Sequence, residues 1–311
     1  MQKLDDILKR QKFAVLDGAF ATELEKLGLN INDPLWSALA LIDREELISK
    51  VHLSYLKAGA DIITSSSYQA TVRGFVARGV PQQRAGELIG NSVRLAQKAR
   101  ETFVESADFD SKARAFPLVA ASLGPFGAYL ADGSEYRGNY QINYDELKRF
   151  HLERIEIIDR ESPDLYALET VPVLAEAVAV SEILCENGIT TPLWVSFSCC
   201  DGEHISDGTD IAECARRLEQ QKNVVAIGVN CTHPRFVESL IKRIKANSTK
   251  EIVVYPNSGE SYDPVSKTWS GSSEEFLAKV GVWNEAGATM IGGCCRTSPA
   301  DIEKIAAMAR G

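Results

Sequence analysis

The sequence predicts an α/β fold of the (β/α)8 TIM-barrel type, and three observations predict it. Short apolar runs rich in β-branched residues recur eight times along the 311 residues. Longer stretches with apolar residues at three-to-four-residue spacing separate them. Each run is followed by polar or glycine-rich residues, as the C-terminal ends of barrel strands are.

In chain order the runs are Phe13–Leu16, Asp61–Thr64, Pro117–Ala121, Leu165–Leu168, Leu193–Phe197, Val224–Val229, Ile252–Tyr255 and Thr289–Ile291. Most are apolar on both faces, the signature of buried parallel strands. Between them, Leu152, Ile155 and Ile158, and likewise Ile211, Cys214, Ala215 and Leu218, trace amphipathic helices. Ser298-Pro299 supplies an N-cap and a first-turn proline to the last helix. Eight strand–helix units over about 300 residues suit a closed barrel better than an open doubly wound sheet, the alternative being six strands with an extra element. No linker, low-complexity stretch or charge block divides the chain, so one domain over 1–311 is expected.

A net charge of −9 and a pI near 5.2 argue against nucleic-acid or anionic-membrane partners, which need a basic face, and favour a small-molecule substrate. Met1 to Arg10 alternates charge with Leu4, Ile7 and Leu8, unlike a signal peptide. The longest uncharged run, Ala115 to Ala131, is broken by Pro117, Gly124, Pro125 and Gly127 and falls short of the ~18 residues of a membrane span. A cytoplasmic protein is expected, and a monomer is the default, the oligomeric state being left open. Seven cysteines in such a chain read as thiols, catalytic groups or metal ligands rather than as a disulfide framework.

The strand ends concentrate the chemistry: Asp17-Gly18, Ser65-Ser66-Ser67-Tyr68, Ser122-Leu123-Gly124-Pro125, Glu169-Thr170, Ser198-Cys199-Cys200, Asn230-Cys231, Asn257-Ser258-Gly259-Glu260 and Gly292-Gly293-Cys294-Cys295. Cys231, Cys294 and Cys295 on one barrel mouth would make a three-thiolate zinc site with an open fourth position, the form of a catalytic metal. Adjacent cysteines share a metal only where the strand has stopped and the backbone turns, and Gly292-Gly293 would permit that turn. By spacing alone Cys199-Cys200 is nearly as good a pair, and buried cysteines are often inert, so the residues leave both alternatives open. Cys185 and Cys214 read as packing residues. His233, two residues from Cys231, is a weaker ligand candidate, and His52, His151 and His204 form no cluster with it.

These motifs resemble the homocysteine S-methyltransferase family. The likeness is carried by 16–24 (Leu-Asp-Gly-Ala-Phe-Ala-Thr-Glu-Leu), Leu168-Glu169-Thr170, Gly228-Val229-Asn230-Cys231 and Gly292-Gly293-Cys294-Cys295-Arg296-Thr297. It implies zinc on Cys231, Cys294 and Cys295, with Cys199-Cys200 and His233 outside the motif. Residues 128–138 and 254–260 look like the branch using S-methylmethionine or S-adenosylmethionine as donor. The folate and cobalamin modules of full methionine synthase are not expected in a chain of 311 residues.

The resemblance implies that L-homocysteine binds as a thiolate. A free thiol with pKa about 8.5 is only a few per cent ionised at neutral pH, whereas a zinc-bound one is deprotonated. A cationic sulfonium donor needs no general acid for its leaving thioether. Asp17 and Glu169 are expected to receive the substrate ammonium, and N–H groups near Gly18 and Ser65 its carboxylate. The alternative for Asp17 is a helix cap. The loop with Tyr129, Tyr136, Tyr140, Asp132 and Glu135 is expected to cover the donor, Tyr136 foremost, with ordinary tyrosine packing as its alternative. A barrel aldolase or dehydratase would need a lysine at a strand end, and none is there. A purely structural zinc would need a fourth ligand.

Overall fold

The computed structural model describes residues 2–31, 33, 35–259, 261–263, 268–270 and 274–311. The strands in chain order are β1 (Ala14–Val15), β2 (Ile62–Thr64), β3 (Leu118–Leu123), β4 (Leu165–Val171), β5 (Leu193–Phe197), β6 (Val224–Asn230), β7 (Glu251–Tyr255), β8 (Ser261–Asp263), β9 (Thr268–Ser270) and β10 (Met290–Ile291). Eight of them form a parallel sheet in the order β1-β10-β7-β6-β5-β4-β3-β2. A parallel bridge between Leu16 and Ile62, with Asp61 N–H on the Val15 carbonyl at 2.7 Å, brings its two edges together. The eight runs read from the sequence are thus the staves of a nearly closed (β/α)8 barrel. The hairpin of β8 and β9 is an addition between its seventh and eighth staves.

Alternation along each strand splits the apolar residues between two cores. Ala14, Leu16, Ile62, Ala120, Ala167, Trp194, Ala226, Val253 and Met290 form one cluster, inside the barrel. Val15, Ile63, Val119, Ala121, Leu168, Val195, Ile227 and Val254, one residue out of phase, pack under the helices in the other. Both faces are dry, which is why the runs are unbroken in hydrophobicity. The alanines on the inner face leave room for the indole of Trp194.

The helices follow the predicted spacing. Ile211–Glu219 buries Ile211, Cys214, Ala215 and Leu218, and Pro299–Arg310 opens with a capping box between Ser298 and Asp301. One packing assignment is corrected: Cys185, on Leu174–Glu186, is exposed, whereas Cys214 is buried. Among the described residues no helix is long and apolar enough to cross a membrane.

At the end of the barrel where the strands begin, Asp61 locks both chain ends to β2. Its buried carboxylate accepts hydrogen bonds from Val15 N–H at 2.9 Å, from the Gln11 amide and from Arg310 Nη2 at 2.8 Å. Asp61→Asn keeps the shape but removes the charge, and is expected to cost ~2–3 kcal/mol of unfolding free energy. The check is a lower urea midpoint with an unchanged m-value.

Candidate active site

At the opposite end, where the strands finish, a cavity of about 720 Å³ opens over the barrel. It is lined by Asp17, Gly18, Ser65, Ser66, Glu169, Tyr136 and all three motif cysteines, among others.

Cys231 follows β6 and Cys294–Cys295 follow β10, with β7 between those strands in the sheet. The loop after β7 therefore ties the two cysteine segments together. Cys294 N–H donates to the Pro256 carbonyl at 2.8 Å, Ser258 N–H to the Cys295 carbonyl at 3.1 Å, and Cys231 N–H to the Tyr255 carbonyl at 3.3 Å. The turn that lets adjacent cysteines face one point is closed by Thr297, whose N–H and hydroxyl both reach the Cys294 carbonyl. The left-handed residues here are Cys231 (φ 47°) and Arg296 (φ 70°), not the glycines. Gly292 and Gly293 are required instead by close approach. A Cβ on Gly292 would lie 2.6 Å from that of Leu16, and one on Gly293 would lie 2.3 Å from Thr297 Oγ1.

The three sulfurs lie within 4.8 Å of one another and are the one such cluster among the described residues. Cys231 and Cys294 are a sulfur–sulfur bonded pair with Cα atoms 5.6 Å apart, and Cys295 Sγ is 4.0 Å from that of Cys231. This pairing departs from the expectation of free thiols, and its reason is the convergence of the sulfurs on one point. Metal ligation needs the same pair reduced. Burial pushes the Cys295 thiol up to about 11, so a thiolate there needs a cation to hold it. Among the described residues no lysine, arginine or histidine lines the cavity. Three soft sulfur donors with one side open to a cavity fit zinc with a position left for substrate.

Cys199 and Cys200 lie outside this cluster. Cys199 N–H donates to Thr232 Oγ1, and the Cys200 thiol points to backbone carbonyls of its own loop. His233 caps the helix Pro234–Lys245 through Nδ1 and is no ligand.

Asp17 is buried and caps no helix: its carboxylate accepts Thr64 N–H at 2.7 Å and the Thr64 hydroxyl. Glu169 accepts the hydroxyls of Ser122 and Tyr255. The Tyr255 oxygen in turn accepts Trp194 Nε1–H, so its own proton is free to point at Glu169. Desolvation raises both carboxyls, Glu169 to about 7 and Asp17 to about 8, the latter with a further push from the charge of Glu169.

Glu169 lies within β4 rather than at its end, because the strand continues through a bulge to Val171. Thr170 there has φ 58°, an outlier for a β-branched residue. Asn230 holds it with both halves of its amide, accepting Thr170 N–H and donating to Thr170 Oγ1 at 2.7 Å each. The Asn before Cys231 is therefore a brace across to β4, a role that the sequence pattern did not reveal.

Ser65 departs from expectation. Its N–H continues the ladder to Ala120, and its hydroxyl bonds Ser67 and accepts Ser122 N–H. The serine with an uncommitted hydroxyl in the cavity is Ser66, buried and unpartnered. Period two along the strand could have pointed to it. Gly18 does line the cavity, packed so closely that an added Cβ would meet Thr297 Oγ1 at 2.8 Å.

Of the loop after β3, Tyr136 and Glu135 line the cavity, but Tyr129 and Tyr140 do not. Tyr129 stacks on Phe126 and Phe150, and the Tyr140 hydroxyl donates to the buried Glu176. For those two rings ordinary packing is the correct reading. Glu260 lies outside the described residues.

Residues 14–309 match the family model described as homocysteine S-methyltransferase. The homocysteine S-methyltransferase YbgG of Bacillus subtilis is 49% identical across 100% of this chain and 98% of its own length. Homocysteine S-methyltransferase 1 of Zea mays is 46% identical, covering 100% and 99%. Among solved structures, the homocysteine methyltransferase MmuM from Escherichia coli is 41% identical over 99% of this chain. Its oxidized form has a TM-score of 0.89 with 99% of that chain covered, and its metallated form 0.88 with 100% covered.

Two carboxyls with raised pKa make the ligand-free protein bind more protons than its unfolded chain between about pH 4 and 8. Stability is therefore expected to fall as pH rises through that window, by up to about 1.4 kcal/mol per unit per group. Chemical denaturation at pH 5.5 and 8 measures the slope; Asp17→Asn should flatten it.

Proposed function

Because the chain belongs to the homocysteine S-methyltransferase family and is a methyltransferase of that kind, we propose that it makes methionine from L-homocysteine using zinc and a sulfonium donor, S-methylmethionine or S-adenosylmethionine. The observation that carries this reading is the cluster of three sulfurs beside a buried pair of carboxyls in one cavity. Cys231, Cys294 and Cys295 would hold the zinc, which when bound keeps the homocysteine sulfur deprotonated at neutral pH. The whole chain acts as one barrel unit, in a cytoplasmic setting that keeps the three sulfurs reduced.

Asp17 and Glu169 receive the homocysteine ammonium. Partly protonated without it, they ionise as it arrives, so binding releases protons and draws on two carboxylates already desolvated. Ser66 donates its hydroxyl to the substrate carboxylate beside Gly18. Tyr136 covers the donor. The homocysteine sulfur attacks the methyl carbon in line; the new S–C bond takes its electron pair from that sulfur, and the departing thioether keeps the pair of the broken bond. Negative thiolate and positive sulfonium become two neutral thioethers, so no proton has to be delivered to the leaving group. The transition state has less separated charge than the reactants, which a cavity walled by protein favours over water.

The test is methionine formation from homocysteine with each donor, on reduced, zinc-supplemented protein. One zinc per chain is expected, with zinc and activity lost together in Cys294→Ser. Asp17→Asn should keep zinc and raise the Michaelis constant for homocysteine about tenfold or more. Full activity in zinc-free, reduced protein would overturn the proposal.

A further inference from the structure

Among the described residues five acidic side chains line the cavity, Asp17, Glu25, Asp33, Glu135 and Glu169, and no basic one does. Asp17 and Glu169 face the acceptor amino acid. Asp33 is ion-paired to Arg78, and Glu25 is exposed. Glu135 is left over. Its Oε2 is buried without a hydrogen-bond partner, and the nearest cation, Arg137, is engaged with the carbonyl and carboxylate of Asp132. Burial accordingly raises its carboxyl above the usual range.

The scaffold pins this residue. Ser198 Oγ, at the end of β5, donates to the Glu135 carbonyl at 2.8 Å, and Gly127 packs so closely that an added Cβ would lie 2.6 Å from Glu135 N. The Glu135 charge is felt at Cys295, at Tyr136 and at Tyr68. A second orphan acceptor lies on the same wall: Gln69 donates its amide N–H to the Ala128 carbonyl at 3.0 Å, which leaves its buried Oε1 without a partner. Two acceptors without donors beside the sulfur cluster suit a ligand rich in positive charge.

We propose that Glu135 is a specificity-determining residue that selects the cationic sulfonium donor over the neutral thioether it becomes, with Gln69 accepting from the donor ammonium. This rests on the sulfonium reading above. The methyl carbon leaves the donor sulfur for the acceptor sulfur, so the donor loses one methyl group and one positive charge. S-methylmethionine and the methionine left in its place differ only in that methyl and charge, and shape alone separates them weakly. A fixed carboxylate separates them by charge. Since the donor sulfur still carries much of its positive charge at the transition state, Glu135 holds the bound donor and the transition state about equally, and its effect falls on the Michaelis constant rather than on kcat.

The experiment uses the zinc-loaded full chain with saturating homocysteine and S-methyl-L-methionine as variable donor, with L-methionine as inhibitor. For Glu135→Gln the donor Michaelis constant is expected to rise about tenfold or more. Its kcat should stay within about twofold and the methionine inhibition constant should not move, with Glu135→Asp recovering part of the donor affinity. Zinc content and circular dichroism verify that each variant is folded. An unchanged donor constant, or donor and methionine constants rising by the same factor, would overturn the inference. Wild-type protein inert toward every sulfonium would overturn the donor reading itself, a result distinct from an active wild type matched by Glu135→Gln.

Discussion

Three sulfurs from two strands that are not neighbours have to meet within one coordination sphere, and the barrel mouth is organised around that requirement. β7 separates β6 from β10, so the cysteines meet only because the segment after β7 hydrogen-bonds to both cysteine loops. Three thiolates at this spacing repel one another in a buried setting, and the charge of Arg296 offsets only part of the cost of ionising Cys295, whose thiol burial still raises. A divalent cation satisfies the cluster; without one, protonation or sulfur–sulfur bonding does.

The same electrostatic logic runs through the rest of the cavity. Asp17 and Glu169 are desolvated, and the charge of Glu169 further raises the cost of ionising Asp17, so the pair favours ligands that bring a cation. The hydroxyls of Thr64, Ser122 and Tyr255 orient them without neutralising them. The negative charge concentrated in the cavity suits the cationic ammonium and sulfonium groups of the proposed substrates better than phosphates or polyanions.

Backbone strain marks the residues around the sulfur cluster. Cys231 and Thr170 both occupy the left-handed region, next to each other across the barrel mouth, and Asn230 links them by preceding one and gripping the other. At the opposite end Asp61 joins the two chain ends. Stability and chemistry are thus separated along the barrel axis, as the fold allows.

Strand and helix positions were legible because they depend on the spacing of apolar residues along the chain, a local property; all eight staves lie where those runs predict. The sulfur triad was legible only through the family motifs, since Cys199-Cys200 has the same local appearance as Cys294-Cys295. What separates the pairs is which loop reaches Pro256 and Ser258, a long-range matter. For the same reason the free hydroxyl of Ser66 beside the engaged one of Ser65, the packing of Tyr129 and Tyr140 away from the cavity, and the brace from Asn230 to Thr170 came from the folded structure, whereas Tyr136 was already singled out in the sequence. The sequence by itself determined the barrel and the chemical types at its mouth, because periodicity and composition are carried residue by residue. Tertiary structure alone decided which of those groups stay free of internal partners, because a hydrogen bond is settled by atoms that may be a hundred residues away.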